Sequence, residues 1–275
     1  MRLFFRSQEV ISRLTREAIA DAAEDNVRYM ELRFTPVALA NAKKYPLGEV
    51  MDWVIESARQ AEQDYGVMTR LIASVNRHES VEIAEKVASL AADRLDKGIV
   101  GLDLAGDETR FPARPFAGVF QSAHQAGLRI TIHAGEWGSA DNIVEAIETL
   151  HAERIGHGVR IFENPKAVEI ALREKTTFEV CPTSNYQTGV IRSSESLWLL
   201  RMVESGLRVT LNTDDPGISN IQLSDECSLA CERLALSIDQ LKTIITNGIE
   251  ASFLSNGSRE QILFVVKNEL EEVTR

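Results

Sequence analysis

The chain has 275 residues, 44% of them hydrophobic and 26% charged, with a formal net charge of −11. That composition excludes a disordered chain, a coiled coil and a collagen-like repeat, and the acidic balance argues against nucleic-acid binding through a broad basic face. No apolar run approaches the roughly 20 residues of a membrane helix, and three cysteines are too few for a disulfide framework, so the expectation is a soluble, cytoplasmic protein of a reducing compartment with no membrane partner.

Residues 1–7 (MRLFFRS) carry neither the apolar core nor the small-residue cleavage site of a signal peptide. They run directly into a helix predicted over 7–26, as if the sequence were entered in mid-domain. A strand follows over 29–35 (YMELRFT), then a helix over 47–65. Strand and helix then alternate: 70–76 (RLIASVN) and 80–97, 99–105 (IVGLDLA) and 116–126, 129–134 (RITIHA) and 140–151. The pattern continues with 154–159 (RIGHGV) and 164–174, 177–181 (TFEVC) and 195–205, and the strand 208–212 (RVTLN). Three helices close the chain, over 223–236, 238–253 and 259–272. The strands are short apolar or alternating runs, as fully buried parallel strands read. Gly98, Gly127 and Gly206 follow helices and deliver the chain to the next strand, as left-handed C-caps do.

The spacing of the strand starts is that of βα units joined by short loops, and no linker composition divides the chain, so one domain over 1–275 is expected. Repeated βα units build either an open doubly wound sheet or a closed (β/α)8 barrel. The G-x-G-x-x-G fingerprint of the open sheet is absent. A barrel needs eight strands and seven are visible. The expected fold is therefore an α/β protein of the (β/α)8 TIM type, its first strand lying before Met1, with extra helices at the carboxyl end.

In such a fold the carboxyl ends of the strands meet on one face, where substrates bind. Those ends carry Gly106, Asp107 and Glu108 after the third strand, then His133 and Glu136 in HAGE. His157 lies in GHG, Thr183, Ser184 and Asn185 follow the sixth strand, and Asp214 and Asp215 follow the seventh. His133 and His157 sit on apolar strands beside glycines, where small neighbours permit close approach of a ligand or metal. His78, His124 and His151 fall in a loop, a helix and a helix end, and read as structural. Asp214 and Asp215 precede Pro216 and Gly217; a turn alone would account for one aspartate. Glu136 can cap a helix or transfer protons. Cys227 and Cys231, spaced i, i+4 without a second pair, read as packing, and Cys181 before Pro182 reads as buried structure. An H-x-E followed by P-C-x-x-C, the other zinc deaminase signature, is absent, as are a G-x-S-x-G elbow and a P-loop.

Five blocks taken together, DLAGDE (103–108), HAGEWG (133–138), ERIGHGV (153–159), EVCPTSNYQTG (179–189) and LNTDDPG (211–217), resemble the adenosine deaminase family of the metal-dependent hydrolases, in the family's order and along nearly the whole chain. The resemblance implies a barrel holding one zinc ion, with His133 and Asp214 among its ligands. It implies that Glu136 donates a proton to purine N1 and that His157 orients the attacking water and stabilises charge. Gly106 would bond the purine through its amide and Asp215 would bond N7. The implied reaction is hydrolytic deamination of adenosine or deoxyadenosine to inosine and ammonia, with a purine nucleoside as the small-molecule partner and the oligomeric state open. The family takes two further zinc ligands from a His-x-His motif on its first strand, and this chain contains no His-x-His. The expectation is that this strand lies upstream and that the chain as written binds zinc more weakly than its relatives. The alternatives are a deaminase of another amino-purine, such as adenine, and a remnant that only binds a nucleoside or a partner.

Overall fold

The protein's structure, a computed structural model, describes residues 6–192 and 197–272; the start of the helix predicted over 195–205 lies outside them. The described chain forms two compact units. One takes the chain as far as Asp107 together with Ala113–Ile130, and the other takes Glu108–Pro112 together with everything from Thr131 onward.

The first unit contains α1 (Gln8–Glu24), β1 (Tyr29–Phe34), α2 (Pro36–Asn41), α3 (Leu47–Tyr65), β2 (Met68–Asn76), α4 (Val81–Ala92), β3 (Ile99–Ala105) and α5 (Ala117–Gln125). β1, β2 and β3 pair in that order, all parallel, with Leu32 opposite Leu71 and Leu102 opposite Ala73. Because their apolar runs face neighbours on both sides, β2 and β3 are buried over most of their length, whereas β1 is half-buried throughout. Serine opens two helices as the local sequence dictates: Ser7 Oγ accepts from the Val10 N–H and Ser80 Oγ from the Ile83 N–H. The helix predicted over 80–97 stops at Ala92; a 3₁₀ turn, Leu95–Lys97, and Gly98 in the left-handed region carry the chain into β3. In the middle of β3, Asp103 has no exposed surface. Ser74 Oγ donates to it at 2.7 Å and Arg33 Nε lies 3.6 Å away, so the buried charge has the polar company it requires.

The chain passes between the units within β4 (Arg129–Ala134). There follow α6 (Ala140–Leu150), β5 (Arg154–His157), α7 (Pro165–Glu174), β6 (Thr177–Val180), α8 (Pro182–Gln187), α9 (Trp198–Glu204), β7 (Arg208–Leu211), α10 (Pro216–Ser219), α11 (Leu223–Glu232), α12 (Ile238–Glu250) and α13 (Asn256–Glu272). β4, β5, β6 and β7 are again parallel neighbours in chain order, with His133 opposite Gly156 and Phe178 opposite Val209. Ile132, Ile155, Phe178 and Val180 are fully buried between the faces of the helices. Arg154 is the polar tie of this unit. Its Nε lies 2.8 Å from Glu179, its Nη1 donates to the Ala251 carbonyl, and its guanidinium stacks 3.4 Å over Phe253, which fastens the start of β5 to the segment after α12.

All seven predicted strands are present, each followed by helix, in the α/β, (β/α)8 barrel class. α11, α12 and α13 are the expected late helices. Three short helices, α2, α8 and α10, went unforeseen. Each begins with proline, two residues past the strand end at α2 and α8 and five past it at α10, where the fixed φ of proline suits a first helical position. No helix among the described residues is long and apolar enough to cross a membrane.

Gly158 has φ +62°, and a Cβ there would sit 2.3 Å from Phe178 Cδ1. Gly158→Ala is expected to destabilise the protein by about 2–4 kcal/mol through strain and overpacking, read as a fall in the urea midpoint with unchanged slope.

Candidate active site

Every strand of the second unit delivers a functional side chain at or just beyond its carboxyl end. His133 ends β4 one residue before Ala134, and Ala134 pairs with His157 at the end of β5. The register brings the two imidazoles together, with ring centroids 5.3 Å apart and planes tilted by 53°. His157 and Asp214 both occupy the left-handed region, at φ +62° and +58°. That conformation is uncommon for residues with a Cβ and is typically kept where function requires it.

Glu136 lies three residues beyond His133. Its Oε2 is 3.6 Å from His157 Nε2, and its side chain is only 15% exposed. Burial pushes its carboxyl up to about 7; the nearby His133 opposes the rise, and the charges of Asp214 and Glu108 add to it. A carboxyl poised there can hold or release a proton near neutral pH. Asp215, next along, is raised by desolvation against the surrounding protein and by the Asp214 charge.

α8 supports this cluster from below the side chains. Ser184 Oγ donates to Asp214 Oδ2 at 2.8 Å, and the Asn185 amide meets His157 Nδ1 at 3.1 Å. α8 is itself anchored at its first turn by Glu226 of α11, a fully buried carboxyl that accepts from the Thr183 N–H. Burial raises Glu226, and the Thr183 bonds offset part of that rise. One short helix therefore orients both an imidazole and a carboxylate.

The chemistry of the donor set fits a zinc ion. His133, His157 and Asp214 offer imidazole nitrogen and carboxylate oxygen, which zinc takes readily. Donor atoms of His157, Cys181 and Asp214 all lie within 4.8 Å of one another. Cys181 was expected to be buried structure; it is buried, yet its sulfur faces the same cluster.

Of the six residues singled out from the sequence, His133, Glu136, His157, Asp214 and Asp215 belong to this unit and carry the features just described. Gly106, at the end of β3 with φ +98°, belongs to the other. Sequence reasoning missed Glu226, since nothing in a late amphipathic helix marks one acidic residue as inward-facing. It named Ser184 and Asn185 as polar without their partners.

A family model described as adenosine deaminase matches residues 2–269 of the chain. An adenosine deaminase of Clostridium botulinum is 36% identical over 270 residues, 98% of this chain and 79% of that protein. Among solved structures, an adenine deaminase from Arthrobacter aurescens superposes with a TM-score of 0.89 at 30% identity, over 97% of this chain and 81% of its own. Arabidopsis ADAL complexed with IMP superposes with a TM-score of 0.88 at 28% identity, over 97% and 79%.

The raised Glu136 carboxyl has a consequence for stability. Its folded value of about 7 lies above the ordinary 4.5, so folding favours the protonated acid. The resulting penalty is absent below about pH 4.5, grows as pH rises to about 7 and is constant above that. Each tenfold change in a carboxyl's ionisation constant is worth about 1.4 kcal/mol. Glu136→Gln in chelator is therefore expected to exceed the wild type in stability by about 3–4 kcal/mol at pH 8. The two should converge at about pH 4.5, as read by urea denaturation at each pH.

Proposed function

This chain belongs to the adenosine deaminase family and is a hydrolase of that family, and we propose that its reaction is the hydrolytic removal of the exocyclic amine of adenosine, giving inosine and ammonia. The observation that carries the reading is the Glu136 carboxyl, mostly buried and 3.6 Å from His157, whose ring lies 5.3 Å from that of His133, and pushed up to about 7 by burial.

In this reading His133 and Asp214 would hold a zinc ion; donor atoms of His157 and Cys181 lie within 4.8 Å of one of Asp214. Bound there, zinc supplies a nucleophile from water at neutral pH by lowering that water's pKa. Glu136, in its acid form, gives its proton to purine N1 as the water oxygen bonds to C6. The ring nitrogen thus absorbs the charge that addition creates. His157, its ring set by Asn185, orients the water and steadies the negative charge that develops on its oxygen. The Asp214 carboxylate, held by Ser184, takes a proton from the water and passes it to the amine. The C6–N bond then breaks and ammonia leaves, and the water's second proton, released as the C6 carbonyl forms, returns to Glu136 and restores the acid. Asp215 bonds purine N7.

A second reading takes free adenine as the substrate, favoured by the likeness to an adenine deaminase of 30% identity. Adenosine is preferred because the curated relative of 36% identity acts under the name adenosine deaminase. With the full chain and added zinc, ammonia release from adenosine is expected to exceed that from adenine and from AMP by at least about tenfold in kcat/KM. A reversed order would transfer the assignment to the base or the nucleotide. Glu136→Gln is expected to lower kcat by about 100-fold or more, and a chelator to abolish turnover until zinc is restored.

A further inference from the structure

We infer that Glu108 is a positioning residue for the proposed deamination: its carboxylate, seated inside the loop 135–138, holds the backbone that carries the proton donor Glu136. This rests on the reading of the function given above, but the clamp itself rests on geometry alone.

β4 ends at Ala134 and α6 begins at Ala140. Between them the backbone N–H groups of the loop have no ladder or helix partner to accept from them. Glu108, which reaches in from the connection after β3, supplies the acceptor. Its Oε1 accepts from the Glu136 N–H at 2.7 Å and from the Trp137 N–H at 2.8 Å. Its Oε2 accepts from the Gly135 N–H at 2.8 Å and from Asn142 Nδ2 at 2.9 Å. Three successive amides and one side chain from the first turn of α6 thus converge on one carboxylate that is only 7% exposed.

The site is shaped for that carboxylate. A Cβ on Gly138 would lie 2.9 Å from Glu108 Oε2 and 2.2 Å from Asn142 Nδ2, so a larger residue there would expel one of the two. Only an ionised carboxylate offers acceptors on both oxygens to four donors at once. Glutamine would present an NH2 group to at least one N–H. Aspartate keeps the charge but falls short by about 1.5 Å, one carbon–carbon bond. Glu108 touches neither ring nor water in this scheme. It acts through the loop, where a displacement of about 1 Å at Glu136 is enough to cost activity.

The test compares wild type, Glu108→Gln and Glu108→Asp as full chains, with two readouts. The first is amide exchange, followed by mass spectrometry, in peptides covering 135–138 and, as reference, β6 and α12. The second is kcat and KM for adenosine. Glu108→Gln is expected to speed exchange in the loop by about tenfold or more with the reference peptides unchanged. It should lower kcat by about 10–100-fold, the range seen when a supporting partner of a site residue is lost, with KM held within about threefold. Glu108→Asp should recover part of both.

Three results overturn the inference: unchanged loop exchange, exchange that rises equally in every peptide, or kcat left intact while the loop loosens. Should Glu108→Gln fail to fold, Asn142→Ala removes one of the four donors. It is expected to loosen the loop about threefold and lower kcat by a similar factor; no change in either overturns the clamp. If the wild type releases no ammonia from any purine, the functional reading fails, and loop exchange still decides whether Glu108 holds the loop.

Discussion

Carboxyl groups crowd the ends of the strands in the second unit, and water is kept from several of them. Removing a carboxylate from water is costly, and the cost rises again when a second negative charge lies near. The protein meets that cost differently at each group. Glu108 is pushed up by burial, but the bonds it accepts from the loop amides and from Asn142 together bring it below the ordinary range. It stays ionised. Glu136 has a similar burial and no such cradle for its own oxygens, so it rises to about 7. The Glu108 charge contributes to that rise. Two neighbouring glutamates are therefore shifted in opposite directions, because several N–H groups offset burial at Glu108 while the Trp137 hydrogen bond and the His133 charge offset it only in part at Glu136. A proton available near neutral pH is the result, and the proposed chemistry depends on it.

That contrast is a product of the parallel βα architecture. Within the second unit each strand ends on the same side, and each following turn begins with a short irregular stretch before a helix. Glu136 lies in one such stretch, and the residues that support it come from others. The backbone is left-handed at His157, which ends β5, and at Asp214, three residues beyond β7. The strain is tolerated because the flanking strands are buried and paired with their neighbours. α8 performs the complementary task for the opposite part of the cluster, through Ser184 and Asn185, and α11 holds α8 through Glu226. His157, Asp214 and the backbone of Glu136 each have a polar partner at a second position, and α8, which supplies two of those partners, is anchored in turn.

Apolar runs separated by amphipathic stretches can bury themselves in few ways, which is why the seven strands and their alternation with helices were readable from hydrophobic pattern alone. β3 and β4 begin and end where the pattern placed them. The short helices α2, α8 and α10 escaped that reading because six residues or fewer carry too little periodicity to register. At those positions the proline after each strand end was the usable signal. The candidate site was legible to the extent that unusual residue types interrupt apolar strands. His133, His157, Asp214 and Glu136 all stand out that way.

Local sequence thus determined which segments become strands, which become helices, and which polar side chains lie at the carboxyl ends, because these follow from spacing along the chain. Tertiary structure alone decided what those side chains do to one another. Glu108 precedes Gly135 by 27 residues and Glu226 follows Thr183 by 43, and no local pattern relates them. The partnering of Ser184 with Asp214, the meeting of two imidazoles across adjacent strands, and the closeness of the Cys181 sulfur to both His157 and Asp214 are of the same kind. Protonation is set by surroundings within a few ångströms, and those surroundings exist only once distant parts of the chain have been folded against each other.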